Sequence, residues 1–254
     1  MSRYFIENGA EVGGIVTISG EDFHHIKNVL RKRLGDTLDV CDGGGMEYVV
    51  SIKRIYKDCI EACVEEAFVC DTESSLKLTL YQGLPKGDKM ELIIQKCVEL
   101  GVSKIVPVIT ERCVVKLDED SAKKKTARWQ KIAFEAAKQS NRGVVPTVSL
   151  PISYKEAVQL SKNSDLSIIP YEKEVAGSLK KAISSVGVVE ANKEVSVDVF
   201  IGPEGGFEEA EIEFATENDI LPVSLGPRIL RTETAGMAVI AIIMYELGDG
   251  GGRE

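Results

Sequence analysis

From residue 76 to residue 247, strand-like and helix-like segments take turns, and that alternation limits the fold more than any other feature of the chain. LKLTLYQ (76–82), KIVPVIT (104–110), LSIIP (166–170), VDVFI (197–201) and LPVSL (221–225) read as strands. Between and after them, apolar residues recur at helical spacing over 90–100, 122–140, 153–162, 175–186, 208–218 and 232–247. Leu92, Ile93, Cys97 and Leu100 share one such face, with Gly101 placed to close the helix. Trp129, Ile132, Ala133 and Ala136 are expected inward on the next. Strands that alternate with helices predict a parallel α/β sheet covered on its faces.

Residues 1–70 follow a different rule. YFIE, GIVTI, TLDVCD, EYVVSIKRIY and CIEACVEEAFV are short β segments, and alternation in YVVSIKRI after the glycines at 43–45 suits a hairpin. One helix interrupts them, with Asp22 as its cap and Phe23, Ile26, Val29 and Leu30 on its apolar side. DTESS (71–75) is the expected boundary, which gives a small β-rich domain at 1–72 and an α/β domain at 73–254. GDGGGRE at the end reads as a frayed tail.

No apolar run is long enough for a bilayer, and the first residues lack a signal-peptide pattern. The six cysteines are scattered without a C-x-x-C. The two histidines, His24 and His25, are adjacent and so point in different directions. A reduced, cytoplasmic protein without a metal site is expected. The net charge of −9 argues against a nucleic-acid partner, but its distribution does not. Lys123, Lys124, Lys125, Arg128, Lys131, Lys138 and Arg142 fall in a stretch with Glu135 as its single acid. Lys27, Arg31, Lys32 and Arg33 fall in another with none. Such runs are either solvated faces or an RNA footprint.

Two strand ends lead into unusual turns: IGPEGGF (201–207) and LGPRILRTETA (225–235). In open parallel sheets, ligands sit beyond the carboxyl ends of the strands. The dinucleotide and P-loop fingerprints are absent. Acids, not lysines, flank the first turn, so a phosphate would be repelled. A cationic or zwitterionic ligand carrying an adenine fits better, which points towards S-adenosylmethionine, although other ligands would fit too.

IGPEGGF followed by LGPRILRTETA closely resembles the RsmE family of 16S rRNA uridine-N3 methyltransferases in the SPOUT superfamily. The resemblance continues through YQGLPKGDKMELIIQKCVELGVSKIVPV (81–108), ERCVVK (111–116) and EAAKQSNRGVVP (135–146). HHIKNVLRKRLGDTLDVCDG (24–43) looks like that family's PUA-like domain. The resemblance implies a small N-terminal PUA-like β-barrel, a C-terminal SPOUT sheet tied in a deep trefoil knot, and a homodimer with the knots at the interface. Helix 232–247, with Met237, Val239, Ile240, Ile242 and Ile243, is compatible with such burial. The implied cofactor is S-adenosylmethionine and the implied partner is 16S rRNA in the small ribosomal subunit.

By the same resemblance the cofactor lies against Gly202, Pro203, Glu204, Gly205 and Gly206 of the first stretch. Leu225, Gly226, Ile229, Leu230, Thr234 and Ala235 of the second face it. Backbone groups of such loops read an adenine edge without charged side chains. Methyl transfer to the imide nitrogen of uridine needs positioning and stabilisation of negative charge on the base. Arg231 is the candidate for that charge, its alternative being an ion pair with Glu204 or Glu233. Glu172 is a candidate base, its alternative a surface carboxylate. RNA contact is expected from Arg3, His25, Arg31 and Arg33 in the first domain and from Lys86, Lys89, Gln139 and Arg142 in the second.

Overall fold

The computed structural model describes residues 3–6, 9–186 and 194–250. Glu7 of the first strand-like run and residues 251–254 of the expected tail lie outside them. Two sheets organise the chain, each in its own compact unit. One unit is Met1–Glu73 with Ala137–Val145; the other is Ser74–Ala136 with Pro146–Glu254.

In the first unit, strands β1 (Tyr4–Phe5), β2 (Ile15–Ser19), β3 (Thr37–Cys41), β4 (Met46–Ile55) and β5 (Cys59–Val69) pair in the order β1-β3-β4-β5-β2. Every pair is antiparallel except β1 with β3. Among the described residues the two edges of this sheet do not pair with each other, so it is a curled half-barrel rather than a closed one. Strict alternation puts Val16, Ile18, Leu38 and Val40 on the inner face, over Phe23, Ile26 and Ile60.

The helix here departs from the expected pattern. It runs as α1 (Gly20–His24) and then widens into a π-helical turn, His25–Val29. Leu30 N–H bonds to His25 carbonyl at 3.0 Å, five residues back. A π turn spends more residues per revolution, so a 3.6-residue rule fails across it. Phe23 and Ile26 are buried as expected, but Val29 and Leu30 face solvent. Asp22 makes no cap; its carboxylate pairs with Lys138.

In the second unit, β6 (Leu76–Gly83), β7 (Lys104–Ile109), β8 (Thr147–Val148), β9 (Ile152–Ser153), β10 (Leu166–Pro170), β11 (Val195–Ile201) and β12 (Leu221–Val223) form one sheet. Its order is β12-β10-β11-β6-β7-β8, with β9 also on β7, and all pairs are parallel. The short strands β8 and β9 were not expected; Pro146 and Pro151 interrupt the sequence pattern there.

Helices α2 (Lys89–Glu99) and α7 (Thr232–Glu246) pack together, with α7 against β6 and β11. The opposite face of the sheet meets α4 (Tyr154–Leu160) and α6 (Glu209–Thr216) in a core containing Tyr81, Phe200 and Ile212. Tyr81 and Phe200, paired across β6 and β11, stack with ring centroids 4.5 Å apart, a contact worth about 1 kcal/mol beyond its buried area.

Two expectations need correction. Leu92 is exposed, because the buried face of α2 is set by Met90, Ile93, Ile94, Cys97 and Val98. Helix α5 spans Leu179–Ser185, not 175 onward. Glu174 accepts from the N–H groups of Ala176 and Gly177, which turns the chain, and Ser178 then caps the helix.

Helix α3 (Glu119–Gln139) buries Trp129, Ala133 and Ala136, with Ile132 half-buried. Its last turn and residues 140–145 belong to the first unit. Glu73 holds them there, accepting from Arg142 Nη2 at 2.7 Å and from the N–H groups of Gly143 and Val144.

Candidate functional site

Strands β10, β11 and β12 end side by side, and the loops that follow them enclose a cleft. It has two lobes of about 450 and 460 Å³. Pro170, Glu172, Ile229, Leu230 and Ala235 line both, so the lobes share a wall. Each is large enough for a nucleoside-sized ligand.

The loop after β11 forms one side. Gly206 N–H bonds to Pro203 carbonyl at 2.9 Å, and Gly206 sits at φ +68°, the left-handed region that glycine tolerates. A capping box between Glu208 and Glu211 then starts α6. Arg112 clamps this loop from β7's side. Its Nη1 donates to Gly205 carbonyl at 2.8 Å, and its Nε and Nη2 grip Glu208 at 2.7 and 3.0 Å. Lys89 pairs with Glu204 at 3.0 Å and with Glu233 at 3.4 Å. Burial pushes the Glu204 carboxyl up, but Lys89 and the Lys86 N–H outweigh it and hold the pKa below its ordinary value.

Ten of the eleven expected cofactor residues line the cleft. Gly202 to Gly206 lie in the second lobe and Leu225 and Gly226 in the first, while Ile229, Leu230 and Ala235 serve both. Thr234 is the exception. It is exposed on the first turn of α7, and Thr232 takes the inward place. On a helix two residues apart is about 200° of rotation, so the two threonines cannot both lie on the cleft side. Tyr171, Glu174 and Ser224 also line the first lobe; their segments carry no motif that would have singled them out.

Arg231 is the N-terminal flanking residue of α7 and lines the second lobe, exposed. Among the described residues no carboxylate pairs with it. Lys89 has taken both Glu204 and Glu233, the partners that would have made Arg231 a brace. Glu172 follows β10, lines both lobes and is also exposed.

The expected RNA-contacting residues divide sharply. Arg31 and Arg33 are exposed, and among the described residues no carboxylate pairs with their guanidinium groups. Gln139 and Lys86 are exposed too. The others are engaged. Arg142 is 8% exposed and bound to Glu73. Arg3 pairs with Glu47, and His25 Nδ1 lies 2.7 Å from Tyr4 Oη. On α3, Lys123 pairs with Glu119 and Arg128 with Glu91. Of that basic run, Lys124, Lys125 and Lys131 are the exposed residues for which no ion pair is formed among the described residues.

A parallel sheet with a cleft at the strand carboxyl ends, in a chain that also carries a separate small β unit, defines a class, and comparison with known proteins agrees with it. Residues 72–244 match the RNA methyltransferase domain model and residues 18–61 the RNA methyltransferase PUA domain model. The chain is 41% identical to ribosomal RNA small subunit methyltransferase E of Bacillus subtilis, over 97% of both chains. It is 32% identical to the protein of that name from Synechocystis, covering 90% of this chain and 72% of the other. The solved structure of the Neisseria gonorrhoeae protein of that name, bound to S-adenosyl methionine, aligns with a TM-score of 0.81 at 35% identity, over 98% of this chain and 99% of that one. The protein is thus an RNA methyltransferase. Within that class it belongs to the ribosomal RNA small subunit methyltransferase E, or RsmE, family.

Proposed function

We propose that the protein methylates N3 of a specific uridine in 16S rRNA of the small ribosomal subunit, with S-adenosylmethionine as donor. The observation that carries this reading is the meeting of the two glycine-rich loops in one cleft, in a chain of the RsmE family. The cleft fits the cofactor chemically. Leu225, Ile229, Leu230 and Ala235 offer apolar walls, the 202–206 backbone offers hydrogen-bonding edges, and Glu172, Glu174 and Glu204 offer negative charge to a cationic ligand. When bound, the cofactor supplies a methyl group on a sulfonium.

The chain's own residues then position the acceptor. Arg231, with no carboxylate partner among the described residues, lines the second lobe, where its guanidinium stabilises the negative charge on a uridine that has lost its imide proton. Glu172 is the carboxylate at the junction of the lobes and is assigned to accept that proton. The target base must leave its stack to reach a cleft of this depth.

RNA phosphates are assigned to Arg31, Arg33 and Lys86, with Gln139 as a polar contact. Arg3, His25, Lys89 and Arg142 are instead engaged by Glu47, Tyr4, Glu204 and Glu73 and are left out of the phosphate contacts. Replacing Arg31 by Ala is expected to lower the salt dependence of RNA binding by about one counterion, leaving cofactor affinity unchanged. Arg142→Ala is expected to lower the melting temperature, since the half-buried Glu73 carboxylate loses its cationic partner and keeps only the Gly143 and Val144 N–H groups. Equal salt slopes for Arg31→Ala and the parent would take Arg31 out of the RNA surface.

A homodimer is also proposed. Helix α7 is apolar on all sides, yet Ile242 is 43% and Tyr245 65% exposed. A helix of that kind calls for cover on both faces. The trefoil knot is supported by connectivity: the chain visits the edge strand β12 and then returns to lay α7 on β6 and β11. A cytoplasmic site of action is proposed from the ribosomal RNA substrate; separately, among the described residues no helix is long and apolar enough to cross a membrane.

The test has two arms. Titration calorimetry should register S-adenosylmethionine binding; no heat at millimolar cofactor would defeat the cofactor assignment. Mass mapping of modified nucleotides in a deletion strain, with and without this chain supplied, should show one 3-methyluridine in 16S rRNA that returns with the chain. Return of a different modification would overturn the choice of acceptor while leaving the methyltransferase.

A further inference from the structure

Among the described residues, Gln82 is the one fully buried amide-bearing side chain at the carboxyl ends of the strands, and no step of the proposed reaction uses it. It is 0% exposed at the end of β6, in register with Ile201, so its side chain lies beside the start of the loop at Gly202. Its Nε2 donates to Gly83 carbonyl at 3.0 Å and to Thr232 Oγ1 at 2.9 Å, and lies 3.5 Å from Gly202 carbonyl. Thr232 Oγ1 in turn donates to Gly202 carbonyl at 2.6 Å. A three-membered chain therefore runs from β6 through the first turn of α7 to the first residue of the cleft loop.

The segments joined here are otherwise distant in sequence, with 120 positions between Gln82 and Gly202 and 150 between Gln82 and Thr232. They are also in close contact. A Cβ on Gly83 would lie 2.6 Å from Pro203 Cδ and 2.7 Å from its nitrogen. The arrangement has a cost, because Gln82 Oε1 is buried without a hydrogen-bond partner. Leucine or methionine would fill the same volume without stranding a carbonyl. A polar group kept under those terms does something an apolar one cannot. Here it turns the Gly202 carbonyl into the protein and fixes the peptide plane that leads into Pro203 and the backbone of residues 204–206.

We propose that Gln82 and Thr232 act as a coupled pair of positioning residues that hold the 202–206 loop in its ligand-reading conformation, and so set cofactor affinity rather than the rate of methyl transfer. This rests on the reading of the cleft as an S-adenosylmethionine site. The pair works because neither member touches Gly202 in a settled way alone. Thr232 aims its hydroxyl hydrogen at the carbonyl only while Gln82 Nε2 supplies the hydrogen that its oxygen accepts.

The test is calorimetric titration of the full chain with S-adenosylmethionine, with thermal melts alongside. Thr232→Val removes the hydroxyl at nearly constant shape and should weaken binding roughly tenfold, the effect of one unmade buried hydrogen bond. Thr232→Ser should bind as the parent does. Gln82→Met should match Thr232→Val, and the double variant should be little worse than either alone. Single-turnover methylation at saturating cofactor should return to near the parent rate in all of them, a split between affinity and chemistry that general loosening would not produce. If Thr232→Val does not fold, Gln82→Met carries the test.

Parent-like affinity in both single variants, or fully additive losses, overturns the coupled pair. So does an equal loss in Thr232→Ser and Thr232→Val, which would show that the hydroxyl is not the operative group. A parent chain that binds no cofactor would instead defeat the reading of the cleft, which separates the two failures.

Discussion

The two loops that form the cleft share glycine and proline but are held very differently. The loop after β11 is tied on every side: Arg112 to Gly205 and Glu208, Lys89 and the Lys86 N–H to Glu204, Thr232 to Gly202. Among the described residues, the loop after β12 has a Gly226 N–H bond to Ser224 Oγ at 3.2 Å and no ion pair. Ile229 at its tip is 86% exposed, and Arg228 is exposed as well. One side of the cleft is braced without a ligand; the other has few contacts of its own among the described residues. A site that must bind a cofactor, admit a nucleotide and release both benefits from one fixed side for recognition and one adaptable side for exchange.

The largest expected effect is on the fixed side. Gly205→Val places a Cβ 3.1 Å from Arg112 Cβ and adds two methyls in the loop proposed to read the cofactor. Calorimetry should find S-adenosylmethionine binding lost with the melting profile kept. Unchanged affinity would mean that the loop does not read the cofactor. Next comes Arg231→Lys, which keeps a charge but loses the planar fork. Single-turnover methylation of small-subunit particles at saturating cofactor should slow on the order of a hundredfold. Recovery to the parent rate would reduce Arg231 to a structural role.

A direct comparison of the two sides uses one arginine from each. Arg112→Ala removes the clamp on Gly205 and should weaken cofactor binding about tenfold, an unmade charge-assisted bond. Arg228→Ala, with no brace to remove, should change it less. The reverse ranking would break the contrast.

The smallest effect is one of pH. The Arg112 guanidinium holds the Glu208 carboxyl below its ordinary value, and Glu204 is held below its own. A depressed folded pKa gives stability that is present above the unfolded value of about 4.5 and is lost as pH falls through the folded one. Hydrogen exchange at the N–H groups of residues 204–208 should therefore quicken as pH drops below that range, after correction for intrinsic rates, while those of residues 224–226 and 228–230 change little. Equal quickening in both would show that the ion pairs do not brace the first loop.

Much of this architecture can be read from the chain alone. Period-two alternation over residues 46–55 and period-3.6 patterns over 90–100 and 232–247 are local properties, and the elements form where they predict. The two strand-end loops are legible for a related reason, since their glycines and prolines have few other uses. Local periodicity also marks where such reading fails. Val29 and Leu30 face solvent because a π turn changes the residues per revolution, and Thr232 rather than Thr234 faces the cleft because the helix phase is set by packing of α7 on α2.

Pairing was decided by tertiary structure. Lys89 and Arg142 look like free cations in sequence, and each is bound to acids far along the chain: Glu204 and Glu233 for one, Glu73 for the other. Nothing near Gln82 announces that it meets Gly202 and Thr232, and nothing in α3 announces that its last turn packs with the first unit. A residue's periodicity is a property of its neighbours in sequence, which the chain states outright. Its partner is a property of which strand ends come to lie side by side, and that follows only from the sheet order β12-β10-β11-β6, which brings residues 82, 202 and 232 within hydrogen-bonding distance.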